Sequence, residues 1–280
     1  MNLALRRLLR DPSAMIGAAI VLLMLTFALG GEWLVPFPED AFEAKPWQRL
    51  EPPSSAHWFG TDGLGRDVLS RTVMGARVAL SIALTVVAGA MLVGVPAGLI
   101  AGYLGGWLGE SIMRVTDIFL AVPQLVLALA FAAVMRPSIS TAMLALMLTY
   151  WPFFCRIVYG ETRRVRSALF VDALQTQGFS TRRILFMHIL PNVAPAIIVR
   201  ATIGMGVTIL VAATLGFLGM GAAPPTPEWG LMVAESRKSL PEGWWQSTFP
   251  GIAILIAVLG FNLFGDALRD VADPRLRRSR

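Results

Sequence analysis

Residues 12–31 carry no charged side chain, and neither do residues 78–109. About 20 apolar residues make a helix as long as the hydrocarbon core of a bilayer is thick. Only a helix or a closed barrel satisfies every backbone polar group there. Including those two, apolar runs fall at about 12–35, 78–101, 112–135, 138–159, 192–218 and 243–265. The sequence therefore predicts an all-α membrane protein, a polytopic bundle of six transmembrane helices. Composition agrees: 55% of residues are hydrophobic and 15% charged, against about 25% charged in an ordinary soluble domain.

Between the spans the chain is organised by short polar segments. Residues 1–11 form a basic N-terminal segment with Arg6, Arg7 and Arg10. Asp11 and Pro12 suit an N-cap and first helical position. The apolar run that follows is too long for a typical signal-peptide core, so a retained first helix is expected. Residues 36–77 are a proline-rich extracytoplasmic loop, expected to have little regular structure. Residues 78–270 are the core, and 271–280 a basic tail. Gly89, Gly94, Gly98 and Gly102 place small residues along one stripe of the second span, where another helix can approach closely. Pro96 is expected to kink that span. Pro123 breaks the third span, where Arg114 and Asp117 are spaced to pair. Tyr150 and Trp151 are candidate interface anchors of the fourth.

The net charge of +6 does not indicate nucleic acid. The basic residues cluster in short loops, where the positive-inside rule accounts for them. Arg6, Arg7, Arg10, Arg114, Arg156, Arg163, Arg164, Arg166, Arg182, Arg183, Arg269, Arg275, Arg277, Arg278 and Arg280 fall on one side. That places both termini and residues 161–191 in the cytoplasm. No Walker A loop is present, since neither lysine, Lys45 or Lys238, follows a suitable glycine run. The two histidines, His57 and His188, lie in separate compartments, so no catalytic set is predicted, and no metal cluster. The lone Cys155 excludes an internal disulfide.

Residues 161–191 are polar and basic, and they lie between two spans. They are predicted as two short helices. The first runs from about 162 to 177, with Val165, Ala168 and Leu169 on its apolar edge, and stops at Gly178. The second is capped by Ser180, buries Ile184, Leu185 and Ile189, and stops at Pro191. A basic helix–turn–helix between spans is a docking surface for another protein. Asp172, Ala173, Leu174, three residues, Gly178, then Ile184, His188, Leu190 and Pro191 resemble the Glu-Ala-Ala loop of ABC-importer permeases. Asp172 stands for the Glu and keeps its charge; Leu174 stands for the second Ala.

The run His57-Trp58-Phe59-Gly60-Thr61-Asp62-Gly63-Leu64-Gly65-Arg66-Asp67 resembles the segment before the core of dipeptide, oligopeptide and nickel-type ABC permeases. The stretch from Gly221 to Gly230, with Pro224, Pro225, Glu228 and Trp229, and the ending from Phe261 through Arg275 resemble the same family. The chain is thereby identified as resembling its C-type subunit. The resemblance implies one half of a translocation pathway for peptides, glutathione, opines, nickel or metal chelates. It implies a second permease as heterodimer partner, two cytoplasmic ATPases and an extracytoplasmic solute-binding protein. ATP and magnesium would sit on the ATPases, in a bacterial inner membrane.

On the residues themselves, Gly60, Gly63 and Gly65 permit tight turns that Asp62, Arg66 and Asp67 can tie by ion pairs. Direct substrate contact is the alternative. Glu228 and Trp229 either belong to a folded proline-rich turn or meet the binding protein at the outer gate. Arg200 lies about nine residues into the fifth span, about 13 Å deep. It is expected to face the bundle interior or a watery cavity such as the translocation pathway, or to snorkel outward. Asn262, near the inner end of the sixth span, needs a polar partner within the bundle. Two other readings stand beside the ABC permease. An ion-driven secondary transporter usually has intramembrane carboxylates, and none lies deep in these spans. A membrane scaffold would leave Arg200, the glycine stripe and the docking loop without a common purpose.

Overall fold

The computed structural model describes residues 11–272, so the basic N-terminal residues and the end of the tail lie outside it. Helix α1 is Pro12–Leu34. α2 is Val68–Leu104, α3 Gly106–Ala121 and α4 Gln124–Val134. α5 is Ile139–Arg166 and α6 Leu169–Thr176. α7 runs unbroken from Thr181 to Phe217, α8 is Trp229–Ser236 and α9 Trp245–Ala272. Helices α1, α2, α5, α7 and α9 are each long and apolar enough to cross a bilayer. The α3–α4 pair makes a sixth candidate if taken as one span.

Asp11 caps α1 as expected, its Oδ1 accepting from the Ser13 amide at 3.0 Å. Glycine sets the packing of the bundle. A Cβ on Gly98 would sit 2.6 Å from the Cys155 carbonyl and 2.8 Å from the Val158 Cβ. One on Gly102 would sit 2.7 Å from the Thr162 Cβ, and one on Gly89 2.7 Å from the Met147 sulfur. Gly94 faces Trp151 and Phe154 in the same way. The partners on α5 advance in step with the glycines on α2, so the two helices run parallel in near backbone contact. Theirs is the most extensive interface in the chain. α1 uses the same device on α9, where Gly17 meets the backbone of Phe264.

Two spans differ from the sequence reading, the second in its start and the third in its ion pair. α2 begins at Val68, ten residues earlier than 78, because Asp67 caps it, with Oδ2 accepting from the Ser70 amide at 2.7 Å. Arg71 and Arg77 are therefore helical. The third span bends by 89° between α3 and α4, at Pro123, where the break was expected. Asp117 pairs with Arg156 of α5, not with Arg114.

Residues 35–67 are more ordered than expected. They include two 3-10 turns, Glu39–Ala41 and Pro46–Gln48. Gly60 and Gly65 take φ of +70° and +78°, and a side chain on Gly60 would strike the Glu51 carbonyl at 2.6 Å. The folded segment makes a cap on the first turns of α2. Arg66 Nε donates to Asp62 Oδ2 at 2.7 Å, and Arg66 Nη2 to Glu235 of α8 at 2.8 Å. Arg71, wholly buried, also reaches Glu235 at 3.4 Å and donates to the Ala41 carbonyl at 2.9 Å. His57 Nδ1 lies 2.8 Å from Asp67. Two indoles staple the cap: Trp229 Nε1 donates to the Thr72 carbonyl at 2.8 Å and Trp245 Nε1 to that of Thr61 at 2.9 Å. Glu228 caps α8, accepting from the amides of Gly230 and Leu231, both at 2.8 Å.

Two outcomes follow for stability. Gly98→Val forces α2 off α5 and costs about 1–3 kcal/mol or more. Its melting temperature in detergent should fall well below that of Gly251→Ala, a site with open space around it. Burial pushes the Glu228 carboxyl up to about 6, against the pull of its two backbone hydrogen bonds. A folded-state pKa above the unfolded one favours the fold at low pH. That advantage is lost as pH rises from about 4.5 through 6. Glu228→Gln should thus gain about 2 kcal/mol relative to the native chain between pH 4.5 and 7. Parallel melting curves across that range check it.

Candidate functional site

The docking loop is built from the last turn of α5, from α6 and from the first turns of α7. α5 does not stop where the loop was expected to begin: it runs on to Arg166, and the chain leaves the helix at Ala168 (φ −83°, ψ 139°). Arg163, Arg164 and Arg166 occupy its last turn, where the helix dipole favours cations. α6 is thus a separate two-turn helix, not the end of one spanning 162–177. It closes as a Schellman motif: the Phe179 amide donates to the Leu174 carbonyl at 3.1 Å and the Gly178 amide to that of Gln175 at 3.0 Å. Gly178 has φ +80°, the left-handed conformation the sequence called for.

The second half departs further. Ser180 holds the N-cap position, but its side chain makes no capping hydrogen bond. Pro191 does not stop the helix. Residues Ile184–Ile189 form a π turn, in which the Leu190 amide donates to the Leu185 carbonyl. That longer ladder resets the register just before Pro191, which then sits in the first turn of the regular helix Leu190–Phe217, where its missing N–H costs little.

The loop has two faces. Val171, Ile184, Leu185 and Ile189 are buried and belong to the same apolar core as Leu99 and Tyr103 of α2 and Val158 of α5. Leu174 and Leu190 pack against that core. Gln175 donates to the Tyr103 hydroxyl at 3.1 Å, and Arg166 lies over the Tyr103 ring. His188 meets the Phe179 ring edge-on, with Arg183 over the same ring at 4.7 Å. The other face is exposed and apolar at four positions: Leu169 (86%), Met187 (65%), Phe186 (61%) and Phe170 (43%). Leu169 was expected on the buried edge; the break at Ala168 turns it outward. Asp172 and Ala173 are exposed as well. The signal for Phe186 and Met187 was available in the sequence, since both are out of phase with Ile184, Leu185 and Ile189.

Arg200 lies over two rings of α5, its guanidinium carbon 4.8 Å from the centroid of Phe153 and 5.3 Å from that of Tyr150. Tyr150 is fully buried and so is no interface anchor. Asn262 is half-buried on α9 and makes no side-chain hydrogen bond among the described residues. The residues expected on the binding-protein side are interior ones: Asp62, Arg66, Asp67, Glu228 and Trp229 are all buried in the cap. They hold the fold of that end. Among the described residues no group of three or more His, Cys, Asp or Glu side chains converges on a metal position.

Residues 94–278 match the family model described as binding-protein-dependent transport system inner membrane component. Residues 1–53 match the N-terminal transmembrane domain of oligopeptide transport permease C. The chain is 44% identical to the probable D,D-dipeptide transport system permease protein DdpC of Escherichia coli K12, over 95% of this chain and 88% of that one. It is 42% identical to the dipeptide transport system permease protein DppC of Alkalihalophilus pseudofirmus, covering 98% and 90%. It is 40% identical to the glutathione transport system permease protein GsiD of Pectobacterium atrosepticum, covering 97% and 90%. In fold it is similar to a chain of the inward-facing MetNI methionine ABC transporter, with TM-score 0.60 and 18% identity over 71% of this chain and 95% of that one. With the family model covering well over half of its length, this chain belongs to the binding-protein-dependent transport system inner membrane components, the membrane-spanning permease subunits of ABC importers rather than enzymes.

Proposed function

We propose that this permease imports dipeptides or closely related small solutes, as one half of a heterodimeric pathway in a bacterial inner membrane. The relatives named for dipeptide and glutathione transport support that substrate class. A second permease completes the pathway, two cytoplasmic ATPases bind the docking loop, and an extracytoplasmic binding protein delivers solute to the cap end. Nucleotide and magnesium reside on the ATPases. The distribution of arginines supports cytoplasmic termini and a cytoplasmic loop.

The observation that carries the reading is the two-faced docking loop. Its outer face offers Leu169, Phe170, Phe186 and Met187 among arginines, as a protein interface does. Asp172, Ala173, Leu174, Gly178, Ile184, His188, Leu190 and Pro191 shape that loop. Its inner face is continuous with the packing of α2, α5 and α7. A push on the loop therefore moves three spans and cannot be absorbed locally. Arg200 of α7 and Asn262 of α9 line the pathway that this chain forms with the second permease.

Substitutions at two positions test this. Around Gly178 the space is open, so a side chain there is opposed by the positive φ alone. Left-handed backbone costs a non-glycine residue about 1–2 kcal/mol. Gly178→Val should uncouple the complex: ATP hydrolysis within twofold of native, uptake at least tenfold lower, membrane insertion unchanged. Gly178→Asn, which tolerates that backbone, should keep most uptake. Phe186→Asp should abolish co-purification of the ATPases while leaving the melting temperature of the permease unchanged. Retained co-purification would remove the loop from the interface.

A further inference from the structure

We propose that Arg200, seated on Tyr150 and Phe153, is a carboxylate-binding site for the solute in transit. This rests on the reading of α7 as a wall of the pathway.

An arginine this far along a spanning helix is costly unless something neutralises it. Among the described residues no carboxylate pairs with Arg200, and its Nε is buried without a hydrogen-bond partner. The acidic residues of the spanning helices are Glu32, Glu110, Asp117, Glu161, Asp266 and Asp270, and none of them pairs with Arg200. What the chain supplies instead is a shelf. Both rings lie within 5.3 Å of the guanidinium carbon, and they attract a cation by their faces. Gly204, one turn further along α7, makes room for the buried ring: a Cβ there would sit 2.6 Å from the Tyr150 hydroxyl. Arg200 is only half-buried, so part of its side chain stays open to a solute. A guanidinium with no carboxylate partner of its own can hold an incoming carboxylate by two parallel hydrogen bonds.

The site also rides on the docking helix. Phe186, on the outer face of the loop, and Arg200 belong to the one unbroken helix Thr181–Phe217. They are fourteen residues apart, about 21 Å at the helical rise. Movement of the loop must therefore displace the anion site. A permanent ion pair with the partner permease would resist that movement; a passing carboxylate is released by it. The solute chemistry this favours is a small molecule with a free carboxylate, such as the C-terminus of a dipeptide.

The test uses the complete transporter, with both permeases, the ATPases and the binding protein, in proteoliposomes, with dialanine as the probe. Arg200→Gln keeps a hydrogen-bonding group and removes the charge; Arg200→Lys keeps the charge. The expected result is at least tenfold lower uptake for Gln, substantial recovery for Lys, and ATP hydrolysis and complex melting temperature close to native for both. Native uptake by Arg200→Gln overturns the site. A Gln variant that melts lower or loses the second permease also overturns it, and assigns the arginine to a partner carboxylate. Absence of dialanine uptake by the native complex, with ATP hydrolysis intact, counts against the peptide reading itself.

Discussion

The near-contact of α2 and α5 is the constraint on which the rest of the molecule depends. Lipid offers helices little hydrophobic reason to associate, so close packing must hold them together. Gly94, Gly98 and Gly102 allow α2 to lie against the backbone of α5, and Gly89 makes room beside them for the Met147 side chain. α2 is 37 residues long, about 55 Å at the helical rise. It reaches from the folded cap, where Arg66 and Arg71 share Glu235, to the docking loop, where Tyr103 meets Gln175. Cap, spans and loop are therefore joined by one helix that its neighbour keeps from bending freely.

Charge is divided between the two ends by burial. At the cap, Asp62, Arg66, Asp67 and Arg71 are out of water, paired with one another, with His57 and with Glu235. Such pairs are costly to break, because each partner left behind is an uncompensated buried charge. They make the cap stiff and its geometry specific. At the loop the arginines are exposed and the apolar groups beside them are exposed as well. Surface charge of that kind adds little to stability. Its use is recognition, where complementary charge speeds encounter and selects partners.

How much of this was legible follows from which forces act locally. Charge-free length revealed the spans, glycine spacing the close-packing stripe of α2 though not its partner, and Gly178 the left-handed cap of α6, since each depends on a few neighbouring residues. Helix boundaries were less legible. Asp67 begins α2 ten residues early because a cap is worth more than the proline-rich composition just upstream suggested. Pro191 failed to stop α7 because a π turn changed the hydrogen-bond ladder before it. Asp117 chose Arg156 over Arg114 because tertiary distance, invisible in the sequence, overrides spacing. Leu169 turned outward through a break at Ala168 that no residue type announces. For Glu228 and Trp229, a motif resemblance pointed to an important position without saying that its importance is internal support.

The relatives of this chain are permeases of ABC importers, and nothing among them supports the alternative of an ion-driven secondary transporter. The physical claim left standing is that the spans hold no energy source and respond to force applied at the docking loop. The direct measurement is solute accumulation in proteoliposomes holding the two permeases, with and without their ATPases, under ATP or under an imposed ion gradient. Accumulation against a gradient only when ATPases and ATP are both present is the predicted result. Uphill accumulation by the permeases alone, driven by ions, would contradict it.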